Sequence, residues 1–235
     1  MPLLKNFVAV DWRSGPDRCY FFFKDNAAYT RFDFGDNKVP EGYPAAVSCN
    51  NWHDFHRHVK GLRFGFTTTG IRPTRAGMSG IDSDILWLFY IDDDMPMVCK
   101  YDQDTDKVHS VGCLEDSPWY LLRPYFNRIV AGTWWQNNRD AQLFRFLMSD
   151  GTYLSLDLLT NRLTAASITA TTWPGLENYK HRIITAVQND RTFADSYYYI
   201  FLTHNEYITY NIMEDRVEYG PYKVSEKTWP GLLRD

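Results

Sequence analysis

The sequence is poor in cysteine and has no long apolar run. Its four cysteines show neither metal-type spacing nor equivalent places in the repeat described below; they are Cys19, Cys49, Cys99 and Cys113. Unpaired thiols of this kind are expected of a cytoplasmic protein. No stretch approaches the roughly 18 apolar residues of a membrane span, and residues 1–10 lack the features of a signal peptide. We therefore predict a cytoplasmic protein with no membrane partner.

The chain also lacks a surplus of positive charge. It has 25 Lys and Arg against 29 Asp and Glu, a formal net charge of −4. A dedicated nucleic-acid binder is usually basic, so no nucleic-acid partner is expected, whereas a cationic ligand would be tolerated. Hydrophobic residues make up 44% of the chain and aromatic residues 17%, which is ample for a packed core.

Motifs that announce catalysis are missing too. There is no Gly-x-Ser-x-Gly elbow, no Gly-rich phosphate loop and no His-Glu-x-x-His pair. Asp102, Asp104 and Asp106 alternate as in a calcium loop, but Lys107 stands where that loop needs Gly, so we interpret them as a hairpin turn. Because catalytic triads are defined by geometry rather than by residue order, an enzyme without a motif stays open.

What the sequence does contain is a seven-residue phrase that occurs four times. Each copy has an acid or amide, three variable residues, Asn or Asp, a cation, and Val or Leu. The copies are Asp33–Val39, Asp102–Val108, Asp157–Leu163 and Asn211–Val217. An aromatic strand precedes each copy, and a tryptophan follows it, namely Trp52, Trp119, Trp173 or Trp229. Such self-similarity indicates a repeat architecture.

Each unit is typical of a four-stranded antiparallel sheet. An inner strand, the aromatic strand, a third strand ending in the phrase and a short fourth strand are followed by a brief helix that carries the tryptophan. Four such sheets around an axis form an all-β, four-bladed propeller. The chain ends where a fifth inner strand would begin, and its equivalent stands at Phe7. We predict one domain, 1–235, with blades at about 7–61, 62–128, 129–182 and 183–235, the last closing onto 1–6 so that Leu3 and Asp235 are neighbours.

The closing segments of the units resemble hemopexin repeats. The resemblance rests on Gly42–Pro44, Trp173–Leu176, Gly220–Pro221 and Trp229–Leu232, and on the aromatic run followed by Lys24, Asp25 and Tyr29–Asp33. It implies a four-bladed disc, as in hemopexin domains and hemopexin-fold plant seed albumins, with a cation held in the channel by backbone carbonyls. The family's inner-strand Asp-Ala-Ala phrase is absent, with only Ala9 and Ala131 similar to it. The cysteine pair of animal members is also missing.

Ring geometry supplies the candidate site. Alternate residues of the inner strands are predicted to line the channel, and this set is Ala9, Phe64, Ala131 and Thr185. Where inner strands end, an aromatic and polar mouth is predicted, and its candidate ligand-binding residues are Asp11, Trp12, Arg13, Phe64, Arg72, Arg75, Trp134 and Trp135. The two arginines at 72 and 75 belong to a loop, residues 69–83, by which the second unit exceeds the others. The alignment of the inner strands matches Trp12 with Trp134, and the alternative is that these two residues only pack between blades. A metal site formed by side chains is neither predicted nor excluded.

These features favour non-catalytic recognition of a small ligand at the channel mouth. The aromatic, partly polar mouth suits a cationic, planar or sugar molecule, and the resemblance implies haem-like, polyamine or glycan ligands. Two alternatives are a protein-interaction disc and an enzyme that positions a reactive small molecule in an aromatic pocket. The protein is expected to be a monomer or a homodimer.

Overall fold

The computed structural model describes residues 4–70, 84–135, 142–189 and 196–234. They form four antiparallel sheets of four strands each. The first two blades contain β1 Phe7–Trp12, β2 Arg18–Phe23, β3 Ala28–Asp33 and β4 Ala45–Ala46, then β5 Leu62–Thr69, β6 Asp84–Asp92, β7 Met95–Asp102 and β8 Lys107–Cys113. The last two contain β9 Ile129–Trp134, β10 Leu143–Met148, β11 Thr152–Asp157 and β12 Arg162–Ser167, then β13 Ile183–Gln188, β14 Tyr197–Leu202, β15 Glu206–Asn211 and β16 Arg216–Lys223.

The inner strands form the ring. β1 contacts β5 and β13, and β9 contacts the same two strands on the far side. The chain therefore runs from the axis outwards in every blade. The predicted all-β, four-bladed propeller is confirmed.

In the part of the chain that the structure describes, short helices follow the first two blades only. They are 3₁₀ helices at His53–Gly61, Leu114–Asp116 and Tyr120–Arg128. In the third and fourth blades the tryptophan lies in consecutive turns instead. Among the described residues, no helix is long and apolar enough to cross a bilayer.

The repeated phrase is a hairpin turn, and its first and fifth residues have recurring roles. In three copies the leading side chain accepts backbone N–H bonds two and three residues on: Asp157 Oδ1 from Leu159 and Thr160 at 2.8 and 3.3 Å, and likewise Asp102 and Asn211. In the first copy the side chain of Asp33 pairs with Arg31 instead. The fifth residues all have a positive φ, 51° at Asn37, 53° at Asp106, 52° at Asn161 and 52° at Asp215. Asn and Asp tolerate this left-handed conformation better than most residues, which explains why the phrase recurs.

Aromatic side chains fill the four seams between blades. Trp119 and Trp173 have no exposed surface, and Trp52 and Trp229 are each 2% exposed. Around Trp229, ring centroids of Phe21, Tyr199 and Phe201 lie 5.2–5.8 Å away. Each tryptophan thus joins its own blade to a neighbour, because its cluster includes strands from both.

The ring closes through a seam that copies an internal one. Val217 N donates to Pro174 O at 3.0 Å between the third and fourth blades, and Val39 N donates to Pro230 O at 2.9 Å between the fourth and first. Leu4 N adds a 2.6 Å bond to Asn205 Oδ1 across the same closure. The predicted neighbours Leu3 and Asp235 lie outside the described residues.

The inner strands differ in register from the sequence alignment. In the second and fourth blades the pairing shifts beside Arg63 and Ile184, and in the third beside Val130, whereas β1 pairs with β2 without a shift. In the first blade, Tyr29 of the third strand pairs with Phe22 of the second, and Phe22 pairs with Val8 of the inner strand. Its counterparts are Phe64, Ala131 and Thr185. The expected equivalence of Ala9 with these three residues is therefore wrong by one position, because the bulges insert one residue in three blades.

Candidate functional site

Three of the predicted mouth residues meet at one end of the axis. Arg13 Nε lies 3.0 Å from Asp11 Oδ2, and the two side chains are only 7% and 5% exposed. The Arg13 guanidinium carbon lies 5.6 Å from the ring centre of Trp134. Because Arg13 follows β1 and Trp134 ends β9, this cation–π contact joins opposite blades across the end of the channel.

A polar network holds that arrangement in place. Thr67 N donates to Asp11 Oδ1 at 2.8 Å, and Thr67 Oγ1 donates to the Asp11 carbonyl at 2.8 Å. Gln103 Nε2 donates to Thr67 Oγ1 at 2.8 Å, while its Oε1 accepts the Arg13 backbone N–H at 2.8 Å. A buried ion pair is costly unless its remaining groups are bonded, and on the Asp11 side this network supplies such a bond through Thr67 N.

The predicted mouth residues Trp12, Phe64 and Trp135 lie in the seams instead. Trp12 contacts Trp52 and Tyr101 with ring centres 6.2 and 6.0 Å apart. Trp135 contacts Trp173 and Tyr210 in the same way, at 5.1 and 6.1 Å. The residue that matches Trp12 is therefore Trp135 rather than Trp134.

Phe64 stacks on Phe89 at 4.4 Å and is fully buried. Ala9, Ala131 and Thr185 are each no more than 1% exposed, and Ala9 N donates to Thr185 Oγ1 at 3.1 Å. Arg72 and Arg75 lie outside the described residues. The channel-lining and ligand roles of all these residues stay predictions.

The implied channel cation does not fit the mouth itself. Asp11 is already paired with Arg13 there, so a cation would meet a guanidinium. Among the described residues, no group of three or more His, Cys, Asp or Glu is arranged to hold a metal ion. A carbonyl-held cation deeper in the channel stays a prediction.

A cleft opens beside the mouth, between the fourth and first blades, and we call it the seam cleft. Its volume is about 780 Å³, within the range of roughly 300–1,000 Å³ usual for small-molecule sites. Its aromatic lining is Phe34, Tyr197 and Tyr199, its charged lining Asp17, Arg18, Arg31, Asp33 and Asp36, and its amide lining Asn37 and Asn189. Asn189 directly follows β13, which places the cleft at the same end of the axis as Arg13 and Trp134.

The side chains of the seam cleft are held by defined contacts. Arg31 and Asp33 form two contacts of 3.0 Å, from Nε to Oδ1 and from Nη2 to Oδ2. Arg18 Nη2 donates to Ser14 O at 3.0 Å. Burial would lower the pKa of Arg31, but Asp33, Tyr43 and Tyr20 together outweigh burial and the pKa is raised. Asp33 and the Ser14 carbonyl thus hold the two guanidinium groups in place.

The aromatic wall is similarly fixed. Phe34 and Tyr199 stack with centroids 5.3 Å apart and an interplanar angle of 20°, and Tyr197 meets Tyr199 edge-on at 6.4 Å. Burial, and then Cys19 and Asp17, raises the pKa of Tyr199. Its hydroxyl consequently stays protonated at neutral pH and can donate as well as accept a hydrogen bond.

The matching positions of another seam indicate which side chains of the cleft the fold does not require. The seam between the second and third blades joins the same two blade faces. Tyr197, which pairs with Asn211, has the same place in its blade as Ile85, which pairs with Asp102. In the same way Arg18, which pairs with Asp33, matches Leu143, which pairs with Asp157. Ile85 is 2% exposed, and Leu158, the counterpart of Phe34, is 3% exposed. At these two positions the seam between the second and third blades therefore has buried aliphatic side chains, whereas the seam cleft has Tyr197 and Phe34 beside charged groups.

Sequence reasoning missed the seam cleft because it searched for positions that the repeats share. The available signal was the opposite one, charged residues where another copy has apolar or small ones. Arg18 and Arg31 stand where the third unit has Leu143 and Ser155.

Comparisons with known proteins do not identify a family. No protein-family model matches the chain, and no curated protein matches it either. The fold is of a kind that suits binding of ligands or proteins in general, because loops and seams present variable side chains on a rigid ring.

Proposed function

We propose that this protein is a non-catalytic, hemopexin-like binding protein that takes a small ligand in the seam cleft. The observation that carries the proposal is the contrast between two equivalent seams. Ile85 and Leu158 are buried in one of them, and Tyr197 and Phe34 at the matching positions border a cleft of about 780 Å³ in the other. Because the fold accommodates buried aliphatic side chains at these positions, their aromatic character beside charged groups needs another reason, and ligand binding supplies one.

The hemopexin-like assignment is supported by the closing motif. Both Trp-Pro-Gly-Leu segments place their glycine at a positive φ, 86° at Gly175 and 84° at Gly231. In each, an added Cβ would lie within 2.9 Å of a valine from the next blade. The glycine of this motif therefore lets two neighbouring blades pack closely, which gives a physical reason for its recurrence in the third and fourth units.

Binding rather than catalysis fits the state of the charged groups. Asp33 is engaged by Arg31, and Arg18 is tied to a backbone carbonyl. Side chains held in this way orient a ligand by fixed hydrogen bonds.

The experiment is ligand-induced thermal stabilisation followed by calorimetric titration. Haem, spermine, oligosaccharides and planar aromatic acids are the probes, each against the wild type and Tyr197→Ala. A ligand that binds the native protein raises its melting temperature with concentration, and Tyr197→Ala should remove that rise. Tyr219→Ala is the matched control, because Tyr219 is 51% exposed on β16 and does not line the cleft. A probe that stabilises both variants equally would place binding elsewhere and refute the cleft as the site.

A further inference from the structure

The seam cleft has both signs of charge, and this decides which ligand it fits. Its three carboxylates and two guanidinium groups nearly balance, and Arg31 and Asp33 neutralise each other in a bidentate pair. A polyamine would approach two arginines, and a phosphate or carboxylate would approach three aspartates. The cleft therefore offers neither ion a field of uniformly opposite sign, and either ion would have to compete with the Arg31–Asp33 pair.

A purely apolar planar ligand is also disfavoured. It would cover Asp33, Arg31 and Asn37 without offering them hydrogen bonds, and burying unbonded polar groups costs several kcal/mol. A suitable ligand must supply both donors and acceptors along the charged side of the cleft. It must also present apolar C–H surface to Tyr197 and Tyr199.

A neutral saccharide meets all of these conditions. Each hydroxyl group both donates and accepts, so it can bridge a guanidinium and a carboxylate that already lie side by side. One face of a pyranose ring has C–H groups that pack on an aromatic ring. We propose that the seam cleft recognises an uncharged oligosaccharide, an inference that rests on the function proposed above.

The test uses defined trisaccharides on the full chain. Maltotriose, cellotriose, mannotriose and triacetylchitotriose are screened by saturation-transfer NMR and titrated by calorimetry, with spermine, inorganic phosphate and haem in parallel. At least one trisaccharide should bind, and Tyr197→Ala should weaken it at least about tenfold, whereas Tyr219→Ala should leave it unchanged. If Tyr197→Ala does not fold, Asp36→Ala tests the same cleft, because Asp36 lies on its exposed hairpin.

Salt separates the ligand classes further. Affinity for a neutral sugar should change less than about twofold between 50 and 500 mM NaCl, whereas an ion's affinity falls as its charges are screened. Binding of spermine, phosphate or haem that depends on Tyr197, with no trisaccharide binding, overturns the saccharide class and leaves ligand binding in the cleft intact. If no probe binds at all, both proposals fail.

Discussion

The closing motif of the fourth blade gives the sharpest test of the ring. Gly231 has φ +84°, and an added Cβ would lie 2.9 Å from Val39 Cβ in the first blade. Gly175 has φ +86°, and its added Cβ would lie 2.8 Å from Val217 Cβ in the fourth. If the seam that closes the ring packs as the internal one does, replacing either glycine by alanine must lower the free energy of unfolding by a similar amount.

The magnitude follows from two costs and one gain. An L-residue in the left-handed region costs about 1–2 kcal/mol, and overpacking against valine costs about 1–3 kcal/mol. Loss of glycine's freedom in the unfolded chain returns about 0.4–1 kcal/mol. Gly231→Ala and Gly175→Ala should therefore each lower the free energy of unfolding by about 1–5 kcal/mol, with similar values.

Urea denaturation followed by tryptophan fluorescence measures both variants. Gly112→Ala is the control, because its added Cβ would meet no atom of the described residues within 4 Å and its φ is not positive. It should stay within about 0.5 kcal/mol of the wild type. A large cost at Gly175 with none at Gly231 would mean that the first and fourth blades do not pack as the third and fourth do. No cost at either position would refute the steric reasoning itself.

Two further predictions concern ionisable groups. Hydrogen bonds from Arg182 and then Lys223 lower the pKa of Glu206, so this stabilisation is complete above the usual carboxyl pKa and is lost as the pH falls through the lowered one. Glu206→Gln should cost about 1 kcal/mol at pH 7. Urea unfolding at a series of pH values should show this cost shrinking as the pH falls through the lowered pKa, and a loss that does not change with pH would contradict the ion pair. Burial, and then Asp17, raises the pKa of Cys19, whereas Cys49 is exposed. A thiol reagent at pH 8 should therefore label Cys49 in the native protein and Cys19 only after unfolding. Equal labelling rates, measured by mass spectrometry, would contradict the burial of Cys19.

The number of blades was predictable because single residue types mark the turns. Asn161 and Asp215 mark a left-handed turn position that few other residues tolerate, and Trp173 marks the seam. Such positions recur in every unit, so the period can be found from one sequence. The ring follows from it, since each sheet needs a neighbour on both faces.

The inner-strand register could not be predicted in the same way. Arg63, Val130 and Ile184 sit at register shifts, yet nothing in their residue types distinguishes a bulged position from a paired one. A one-residue error exchanges the two faces of a strand. That error matched Trp12 with Trp134, whereas the ring contacts match it with Trp135.

Fold stability and ligand recognition should be separable at Tyr197, because the second blade has Ile85 at the matching position. Elsewhere in the same seam, the hydrogen bond from Val39 N to Pro230 O does not involve that side chain. Tyr197→Ile, which copies Ile85 of the second blade, should therefore change the free energy of unfolding by less than about 1 kcal/mol while weakening ligand binding at least about tenfold. Urea unfolding and calorimetric titration of the same preparation measure the two effects. A variant that loses several kcal/mol would show that Tyr197 belongs to the core, and one that keeps full affinity would show that the aromatic wall does not contact the ligand.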